Sequence, residues 1–574
     1  MKKIAGIALS MIMAFALVSC GGTTKTVDES AAAPAESTAG ATAAAAAQTA
    51  AASETTVAES LQAGGGNTSI DTKGFLVVAL NSNVNTADVH KTSSDYLLPL
   101  NIFDRLVEVQ TGADGNSTIV PSLAKSWDVS ADGLTYTFKL RDDVKFSNGD
   151  LFTAKDAVYS LTRILGVEGA ANGDFVSMIK GADKVSDGSA KELEGVKAVD
   201  DTTLQITLDH PYAGFLACLS TPPVVMLDAK ATEEAGDKFG LDPDVTVGSG
   251  PFKLTAWTLN DSIILTRNDS YWKGASKLPG VVIKIVPDMQ TQSMMFQNGE
   301  LDVLDFDYLE TGLADFKKQF PDQIVTAPRV GITYFTFNES IEPLNNPKVR
   351  QAISMAVDRQ TILDSIWDGA GQLESGIFPK GAIGHSDSLP QIKYDPDGAK
   401  KLLADAGYPN GFDMEISADS DASDKVNQTL DVIAGELQAI GINATVKNYD
   451  DSTWLATRKA GTLGSFMATW SADYNDPDNF IYTFFGSTDN VKLRSLNYSD
   501  ADVIKRVADA RTITDDKKRL QEYSDLEKKI VSEDYAWLPM FSRTHSWAVS
   551  KSVSGFTPAW NGFSDMCYYS ITKN

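Results

Sequence analysis

Polar and apolar residues alternate along short segments of the chain. In Thr135–Leu140 every second residue is apolar, and Leu204, Ile206 and Leu208 repeat that spacing. Successive residues of a strand point to opposite faces of a sheet, so this alternation is typical of a strand with one buried face. We predict a half-buried strand at each place.

A helix is predicted between these two strands. Thr153 can cap its first turn, and Asp156, three residues on, completes a capping box. Apolar residues then recur at intervals of three and four, which places them on one helical face. They are Ala154, Ala157, Val158, Leu161 and Leu165. The predicted order is strand, helix, strand.

Two more helices and a strand are predicted in the second half of the chain. Asp395 and Pro396 are typical of a helix start, and Gly407 of a helix end. The apolar face of this helix consists of Ala399, Leu402, Leu403 and Ala406. The next apolar face consists of Val426, Leu430, Ile433, Leu437 and Ile440. Gly441 ends the second helix, and the alternating residues after it are Ile442, Ala444 and Val446. The pattern predicts a mixed α/β protein, with helices covering sheets on at least two cores.

The N-terminus has the three parts of an export signal. Lys2 and Lys3 precede an apolar run, Ile4–Val18, and the small residue Ser19 follows it. This run is too short to serve as a permanent transmembrane anchor. We therefore expect it to direct export.

The end of this signal, Leu-Val-Ser-Cys at 17–20, resembles the bacterial lipobox. In a lipobox the Cys thiol receives a diacylglyceryl group and the signal is cleaved before it, so residues 1–19 would be removed and Cys20 would carry a lipid anchor. A plain secretory signal is the alternative. Segment 20–70 is rich in Ala, Thr, Ser and Gly. Such a composition buries little apolar surface, so we predict a disordered tether.

The charge and the cysteine content of the chain argue against some classes of partner and scaffold. The chain has 50 Lys and Arg against 76 Asp and Glu, a formal net charge of −26. This excess of negative charge argues against a nucleic-acid or anionic-lipid partner. Apart from Cys20 only Cys218 and Cys567 occur, too few for a disulfide scaffold. The sequence leaves open whether these two pair.

The motifs of common catalytic and metal sites are missing from the sequence. There is no G-x-S-x-G elbow and no phosphate-binding glycine loop. The 4 histidines are scattered, so no pair has the spacing of a helical metal site. Segment 128–133 begins like an EF-hand loop, but Lys139 stands where a bidentate Glu is required, and Asp132-Gly133 fits a hairpin turn better. We predict neither an enzyme nor a bound metal or cofactor.

Four segments resemble the peptide and nickel family, family 5, of extracellular solute-binding proteins of ATP-binding-cassette importers. They are WDVSADGLTYTFKLRDDVKFSNGDLFTAKDAVYSLTR at 127–163, VGSGPFKLTAWTLNDSIILTRNDSYWKG at 247–274, the stretch 337–362 with NPKVRQAISMAVDR, and YDPDGAKKLLADAGYPNGF at 394–412. Turns, caps and core positions explain most of these residues, so the segments identify the fold rather than the ligand.

The resemblance implies a periplasmic-binding-protein-like two-lobed clamp of class II, cluster C type, with an extra third domain. The implied ranges are 71–105, 236–330 and 546–574 for domain I, 106–235 for domain II and 331–545 for domain III. Ligand would close domain III onto the others, and the membrane permease subunits of the importer would recognise the closed form. The resemblance further implies a monomer without an ATP site of its own.

One short segment, WSADYNDP at 470–477, resembles the part of oligopeptide- and dipeptide-binding members that holds the ligand's α-ammonium group. The resemblance implies that Asp473 pairs with the peptide N-terminus and that Trp470 forms a wall of a side-chain pocket. The other ligand-lining positions it implies are Ser471, Ala472 and Tyr474. In the alternative interpretation, Asp473 caps the turn before Pro477 and Trp470 packs in the core.

A basic residue precedes this segment. Arg458, twelve residues before Trp470, matches in spacing a residue that some oligopeptide binders place near the ligand. Its guanidinium could bind a carboxylate through two hydrogen bonds, whereas Lys459 beside it favours a solvated helix face instead. Certain oligopeptide binders also have an Arg three positions before the Trp, where this chain has Met467. The length of the ligand therefore stays open.

Asn81–Tyr96 corresponds to the family segment whose backbone pairs with the ligand as an added strand. Within it the resemblance implies Ser93 as a lining position, and it implies Phe175 as a contact from the other side. The resulting hypothesis is an extracytoplasmic protein that captures short peptides and is held at the bacterial membrane by the lipid on Cys20. A nickel chelate, haem, an oligosaccharide or an opine are alternative ligands of the same fold. An enzyme or a surface adhesin is the alternative from another class.

Overall fold

The computed structural model describes residues 66, 69–94, 96–111, 117–306 and 312–574. The predicted signal, the lipidation site Cys20 and the predicted tether as far as residue 65 lie outside these residues. Within the described part of the chain, no helix is both long and apolar enough to cross a membrane.

A four-stranded mixed sheet, the N-terminal sheet, forms the first core. Its strands are, in order, Leu76–Leu80, Gly280–Ile285, Ser262–Arg267 and Phe252–Thr258. The first pair is parallel and the others are antiparallel. Alternate residues of the two central strands, among them Ile263 and Val281, are completely buried. The helix Leu97–Ile102 and C-terminal side chains from Met566 to Ile571 belong to the same core.

A second sheet, the middle sheet, is antiparallel. Its strands are, in order, Ala124–Val129, Thr135–Leu140, Thr203–Thr207 and Val196–Asp200. The two predicted strands are confirmed, and Gly133, with φ +70°, lies in the predicted hairpin turn between the first pair. The predicted helix spans Ala154–Gly166. Its cap is also confirmed, because the Thr153 backbone N–H donates to the Asp156 carboxylate at 2.8 Å.

A third, antiparallel sheet is built on the long strand Trp537–Val549. The strands that pair with it are Gly331–Thr336 and Gly371–Leu373 toward its start and Val303–Asp305 and Ile324–Pro328 toward its end. Met467–Ser471 adds to Gly331–Thr336 from the other side. Leu538 packs in a different core from Trp547, so the long strand runs from one core to another.

The two helices predicted in the second half are confirmed. They span Pro396–Asp405 and Asp424–Ala439. The first is capped by Asp395, whose side chain accepts from the Gly398 backbone N–H at 2.8 Å. The predicted strand after the second helix spans Asn443–Tyr449 and pairs in parallel with Asp413–Asp419.

The described chain has further strands and helices. The further strands are Val107–Thr111, Ser117–Pro121, Val553–Ser554 and Thr572–Lys573. The further α-helices are Ala182–Ser186, Phe215–Leu219, Ala229–Ala235, Met289–Gln297, Leu313–Gln319, Pro347–Ala356, Arg359–Ser365, Asp451–Lys459, Pro477–Phe485, Thr488–Leu493, Ala501–Ala510 and Asp516–Lys528.

The architecture is the mixed α/β arrangement that the sequence predicts. The division into domains I, II and III at the ranges given above stays a prediction, and we use these names below in that sense. Cys218 is buried and Cys567 is exposed, and both are free thiols. The question left open by the sequence is thereby answered, since these two cysteines do not pair.

Candidate functional site

Two cavities adjoin where residues of the N-terminal sheet, the loops beside the middle sheet and the segment after Met467–Ser471 meet. Their volumes are about 400 Å³ and about 650 Å³. Four residues line both cavities, which therefore share a wall. These residues are Ser93, Tyr96, Phe175 and Asp473.

Of the other ligand residues that the resemblance implies, all but Ser471 line one of the two cavities. Ala472 lines the smaller one. The larger one is lined by Trp470, Tyr474 and Arg458. Ser471 lines neither, because successive residues of a strand point to opposite faces and Trp470 takes the face toward the cavity.

Asp473 lies in the turn that connects the strand Met467–Ser471 to the helix Pro477–Phe485. Asn479, in the first turn of that helix, holds it from two sides. The Asn479 Nδ2 donates to Asp473 Oδ2 at 3.0 Å, and the Asp473 backbone N–H donates to Asn479 Oδ1 at 3.1 Å. The Asn479 side chain thus fixes the direction of the carboxylate.

The carboxylate of Asp473 is accessible from the cavities, although protein atoms crowd it. Desolvation by these atoms raises the pKa of Asp473, while the Asn479 hydrogen bond and the charge of Arg494 act in the opposite direction. Asp473 forms no ion pair with any residue that the structure describes. An incoming cation would therefore find an anion whose position is already fixed.

Asp473 does not cap the turn before Pro477, the alternative that the sequence left open, because no backbone N–H of the described residues donates to its carboxylate. The residue that caps Pro477–Phe485 is Asp476, whose side chain accepts from the Asp478 backbone N–H at 3.0 Å. Asp476 is itself held by Arg519, which donates to both of its oxygens at 2.8 Å. Asp473 has no part in this cap.

Trp470 packs against core side chains and also lines the larger cavity. Its ring packs edge-on against Phe484 with centroids 5.5 Å apart, and its Nε1 donates to Asn479 Oδ1 at 3.3 Å. It is half-buried and lines the larger cavity. The guanidinium of Arg494 lies over the same ring, 4.9 Å from its centroid. One ring thereby orients both the amide that holds Asp473 and a cation at the cavity.

Arg458 lies in the helix Asp451–Lys459, half-buried, and its guanidinium is 5.0 Å from the centroid of Trp454. The solvated-face interpretation fits the exposed Lys459 but not Arg458. Met467 is buried in a hydrophobic core and lines neither cavity. Certain oligopeptide binders have an Arg at this position. With Met467 in its place, this chain has neither a cation nor a cavity-lining side chain there.

Tyr474, from predicted domain III, and Phe175, from predicted domain II, pack against each other at the larger cavity. Their rings meet edge-on with centroids 6.4 Å apart. The hydroxyl of Tyr474 donates to Asp478 Oδ2 at 3.1 Å, and its oxygen lies 3.1 Å from the oxygen of the Tyr212 hydroxyl. Burial raises the pKa of the Tyr212 and Tyr474 hydroxyls, so both remain protonated donors near neutral pH.

Ser93 is exposed in the segment Asn81–Tyr96, and the buried side-chain amide of Asn172 helps to hold this segment in place. The Nδ2 of Asn172 donates to the carbonyls of Val89 and Thr92 at 2.8 and 2.6 Å. Backbone groups of this segment are therefore fixed beside both cavities.

The sequence reasoning missed Asn479, Asn172 and Arg494. Asn479 stands six residues after Asp473. Because a helix start lies between them, the sequence could have indicated that the two side chains contact each other. Asn172 and Arg494 belong to no local motif, and their contacts depend on the folded arrangement.

The sequence profile of the bacterial extracellular solute-binding proteins, family 5 middle region, matches residues 118–492. The chain belongs to this family. Heme-binding protein A of Haemophilus influenzae is 31% identical over 80% of this chain and 85% of its own length. The dipeptide-binding protein of Escherichia coli is 29% identical over 79% of this chain and 86% of its own length.

A solved structure, that of HbpA2 from Haemophilus parasuis, has a TM-score of 0.77 and 25% identity to this chain. It covers 87% of this chain, and all of that protein is matched. The fold is thus the two-lobed clamp of family 5, as the sequence resemblance implies. Family members are solute-binding proteins, so the two cavities are the place to look for a solute.

Proposed function

We propose that this protein is an extracytoplasmic solute-binding lipoprotein that captures short peptides and delivers them to an ATP-binding-cassette importer. The observation that carries the proposal is Asp473, an accessible carboxylate without an ion-pair partner among the described residues and fixed by Asn479 at the wall of both cavities.

A free peptide N-terminus matches this carboxylate chemically. An ammonium that leaves water needs a paired anion and hydrogen-bond acceptors, since burying either charge alone is costly. The pairing also sets the register of the ligand, because an unmodified chain end carries this cation at one position. Backbone groups of Asn81–Tyr96 would then bind the peptide backbone without reading its sequence.

The remaining parts of the proposal concern delivery. Ligand would favour the closed clamp, in which domain III meets domains I and II, and the permease subunits would recognise that form. The lipid on Cys20 would hold the monomeric protein at the outer face of the membrane. Two acyl chains would hold it more firmly than one, since each buried methylene contributes about 0.8 kcal/mol.

Haem is the second candidate ligand. The relative at 31% identity is a haem-binding protein, against 29% for the dipeptide-binding protein, and the two identities are too close to decide between ligands. A nickel chelate, an oligosaccharide and an opine have no comparable support here. Direct binding measurements therefore have to separate peptide from haem.

Calorimetric titration of the purified protein with trialanine, N-acetyl-trialanine and haemin tests the proposal, after native mass spectrometry has identified any co-purified solute. We expect trialanine to bind and N-acetylation to abolish most of the affinity, because it removes the ammonium.

The Asp473→Asn variant should lose about 100-fold or more in affinity for trialanine, since it leaves the ammonium without a charged partner. Asp128→Asn, which removes an exposed carboxylate of the middle sheet, is the matched control and should bind as the unaltered protein does. Equal affinity for trialanine and its N-acetyl form would remove the basis for the assignment, and binding of haemin alone would identify the second candidate.

A further inference from the structure

The segment Asn81–Tyr96, which the proposed function pairs with the peptide backbone, has no regular structure of its own. From residue 81 to residue 94 it forms neither helix nor strand. His90 and Thr92 are nevertheless buried, while Ser93 is exposed and lines both cavities. Buried backbone groups outside helices and strands need other partners. Contacts from outside the segment therefore help to set its conformation.

Predicted domain II supplies several of these contacts from one loop. Asn172 is buried, and its Nδ2 donates to the carbonyls of Val89 and Thr92 at 2.8 and 2.6 Å. The backbone N–H of Ala171, directly before it, donates to the His90 carbonyl at 2.9 Å. Two neighbouring residues of predicted domain II thus hold three carbonyls of a segment that belongs to predicted domain I.

A buried ion pair connects the same segment to the helix Ala154–Gly166. Arg163, near the end of this helix, donates to the two carboxylate oxygens of Asp88 at 2.8 and 2.6 Å. The two side chains are 11% and 2% exposed. The Nη1 of Arg163 also lies 3.1 Å from the Nδ1 of His90. Burial lowers the pKa of His90 to about 3, so the ring is neutral and this nitrogen can accept a hydrogen bond.

The planar peptide bond extends this support to Ser93. A trans peptide unit holds the carbonyl of one residue and the N–H of the next in one plane, on opposite sides of the C–N bond. Because Asn172 holds the Thr92 carbonyl, it also sets the direction of the Ser93 N–H. The Ser94 N–H donates to Thr92 Oγ1 at 3.2 Å, and this contact sets the direction of the Ser93 carbonyl in the same way.

Ser93 is a point at which the segment can pair with a ligand. Its backbone N–H and carbonyl have no hydrogen bond to any residue that the structure describes. The carbonyls of Val89, His90 and Thr92 already accept hydrogen bonds from predicted domain II. In an added strand, a residue offers both its N–H and its carbonyl to the facing chain. Ser93 has both groups available and lines both cavities.

We propose that Asn172 and Arg163 are positioning residues for peptide capture and act through the backbone of Ser93. The inference rests on the proposed function and gives predicted domain II a part in it. By fixing the segment before a ligand arrives, the two residues reduce the conformational entropy that is lost on binding. The ligand group concerned is a peptide bond, whose N–H and carbonyl match the carbonyl and N–H of Ser93.

Ligands with an ester in place of one amide test the proposal by calorimetric titration. They are trialanine and two analogues in which L-lactate replaces the second or the third alanine, so that each analogue lacks one N–H. We expect the unaltered protein to bind at least one analogue about 2- to 10-fold more weakly than trialanine, the effect of one lost hydrogen bond. The ratio of the two affinities, the ester ratio, measures pairing with the ligand backbone.

Variants of the two positioning residues should reduce the ester ratio. Asn172→Ala should lower the affinity for trialanine and bring the ratio close to one, because the variant and the ester remove the same pairing. Arg163→Lys keeps a counter-charge for the buried Asp88 carboxylate, so the fold is retained. A single ammonium cannot match both oxygens as the planar guanidinium does, and the ratio should fall in part.

Asn338→Ala is the matched control for the loss of a buried amide. The Nδ2 of Asn338 donates to the carbonyls of Gly461 and Leu463 at 3.1 and 2.7 Å, as that of Asn172 does in its own loop. Asn338 lines neither cavity. Both Ala variants should lower the midpoint of urea denaturation, but Asn338→Ala should keep the full ester ratio.

The outcomes separate positioning from a structural role and from direct contact. Asn172 lines the larger cavity, whereas Arg163 lines neither, so a reduced ratio in both variants supports positioning. A variant that weakens all three ligands by the same factor would give its residue a purely structural role and overturn the proposal. Equal binding of all three ligands by the unaltered protein would also overturn it, while the ammonium pairing of the proposed function would still stand on the N-acetyl comparison. If none of the ligands binds, the proposed function fails and the inference with it.

Discussion

Asp473 and Asp476 lie three residues apart in the same turn, yet their surroundings are opposite. The Asp476 side chain is 4% exposed and accepts two hydrogen bonds from Arg519 at 2.8 Å. Asp478, two residues further on, is 1% exposed and lies 2.9 Å from the Nε of Arg511. Asp473 is accessible, and it has an amide partner instead of an arginine.

The arginines of this region divide in the same way. Burial alone would lower the pKa of Arg511 and Arg519, but Asp478 and Asp476 outweigh it and raise both. Arg458 and Arg494 have no such partners within the described chain. Charges that stabilise the fold are therefore paired inside the protein, where an unpaired charge would be costly. Asp473, Arg458 and Arg494, which line the cavities, have no ion pair within the described chain.

Breaking the Asp476–Arg519 pair should give the largest effect on stability. Asp476→Ala would leave Arg519, whose side chain is 6% exposed, with the exposed Asp516 at 3.6 Å as its ion-pair partner, and it would also remove a helix cap. We expect a loss of about 3–5 kcal/mol in the free energy of unfolding. Urea denaturation followed by tryptophan fluorescence measures it.

Two controls make this measurement specific to the pair. Asp473→Ala removes an equal charge three residues away and should change the free energy of unfolding by no more than about 0.5 kcal/mol. The double variant Asp476→Ala/Arg519→Met should recover part of the loss, because it removes the buried guanidinium whose buried partner the single variant has taken away. Equal losses for Asp473→Ala and Asp476→Ala would contradict the comparison.

The sequence predicts those features of the fold that depend on neighbours in the chain. The capping box of Thr153 and the start of the helix after Asp395 are examples, because the donor, the acceptor and the turn lie within four residues. Asp476 could have been recognised as a cap in the same way, since an Asp directly before Pro477 is typical of a helix start. The alternation of side chains along a strand likewise predicts that Ser471 and Trp470 point to opposite faces of the sheet.

The charged half of the site depends on contacts that the sequence does not display. Arg494 stacks on Trp470 across 24 positions of the chain, and nothing in the intervening residues indicates that contact. Asn172 holds a segment 80 residues earlier. Asp473 was found through family resemblance, whereas its lack of an arginine partner becomes visible only when its folded neighbours are known.

The raised pKa of Asp473 predicts an acid-sensitive affinity. An ammonium binds the ionised carboxylate, and burial moves the pKa of that carboxyl above the value of about 3.9 found in peptides. Affinity for trialanine should therefore fall as pH drops through this raised pKa, by up to about tenfold per unit. Calorimetric titration across the acid range measures the fall.

The sign for stability is opposite to that for binding. The folded protein holds a proton on Asp473 more tightly than the unfolded chain does, so ionisation at this site costs stability above the raised pKa. Asp473→Asn should thus leave the free energy of unfolding at neutral pH unchanged or slightly higher.

A control for the binding experiment is the amide of trialanine, which has no titrating carboxyl. Its affinity should fall with acid pH in the same way as that of trialanine. A fall seen with the free acid alone would place the titrating group on the peptide.

The smallest expected effect tests how far Asp478 depends on its several partners. The hydroxyl of Tyr212, in domain II, donates to Asp478 Oδ2 at 2.8 Å, while the guanidinium of Arg511 lies 4.6 Å from the Tyr212 ring centroid. Tyr212→Phe keeps the ring and removes the donor. Because Arg511 and Tyr474 still hold the carboxylate, we expect a loss of about 1 kcal/mol in the free energy of unfolding.

Tyr482→Phe is the matched control. The ring of Tyr482 also stacks on Arg511, at 3.8 Å, but its hydroxyl has no hydrogen bond within the described residues. Its loss should stay below about 0.5 kcal/mol, and equal losses in urea denaturation would show that the hydroxyl of Tyr212 adds nothing to the pair.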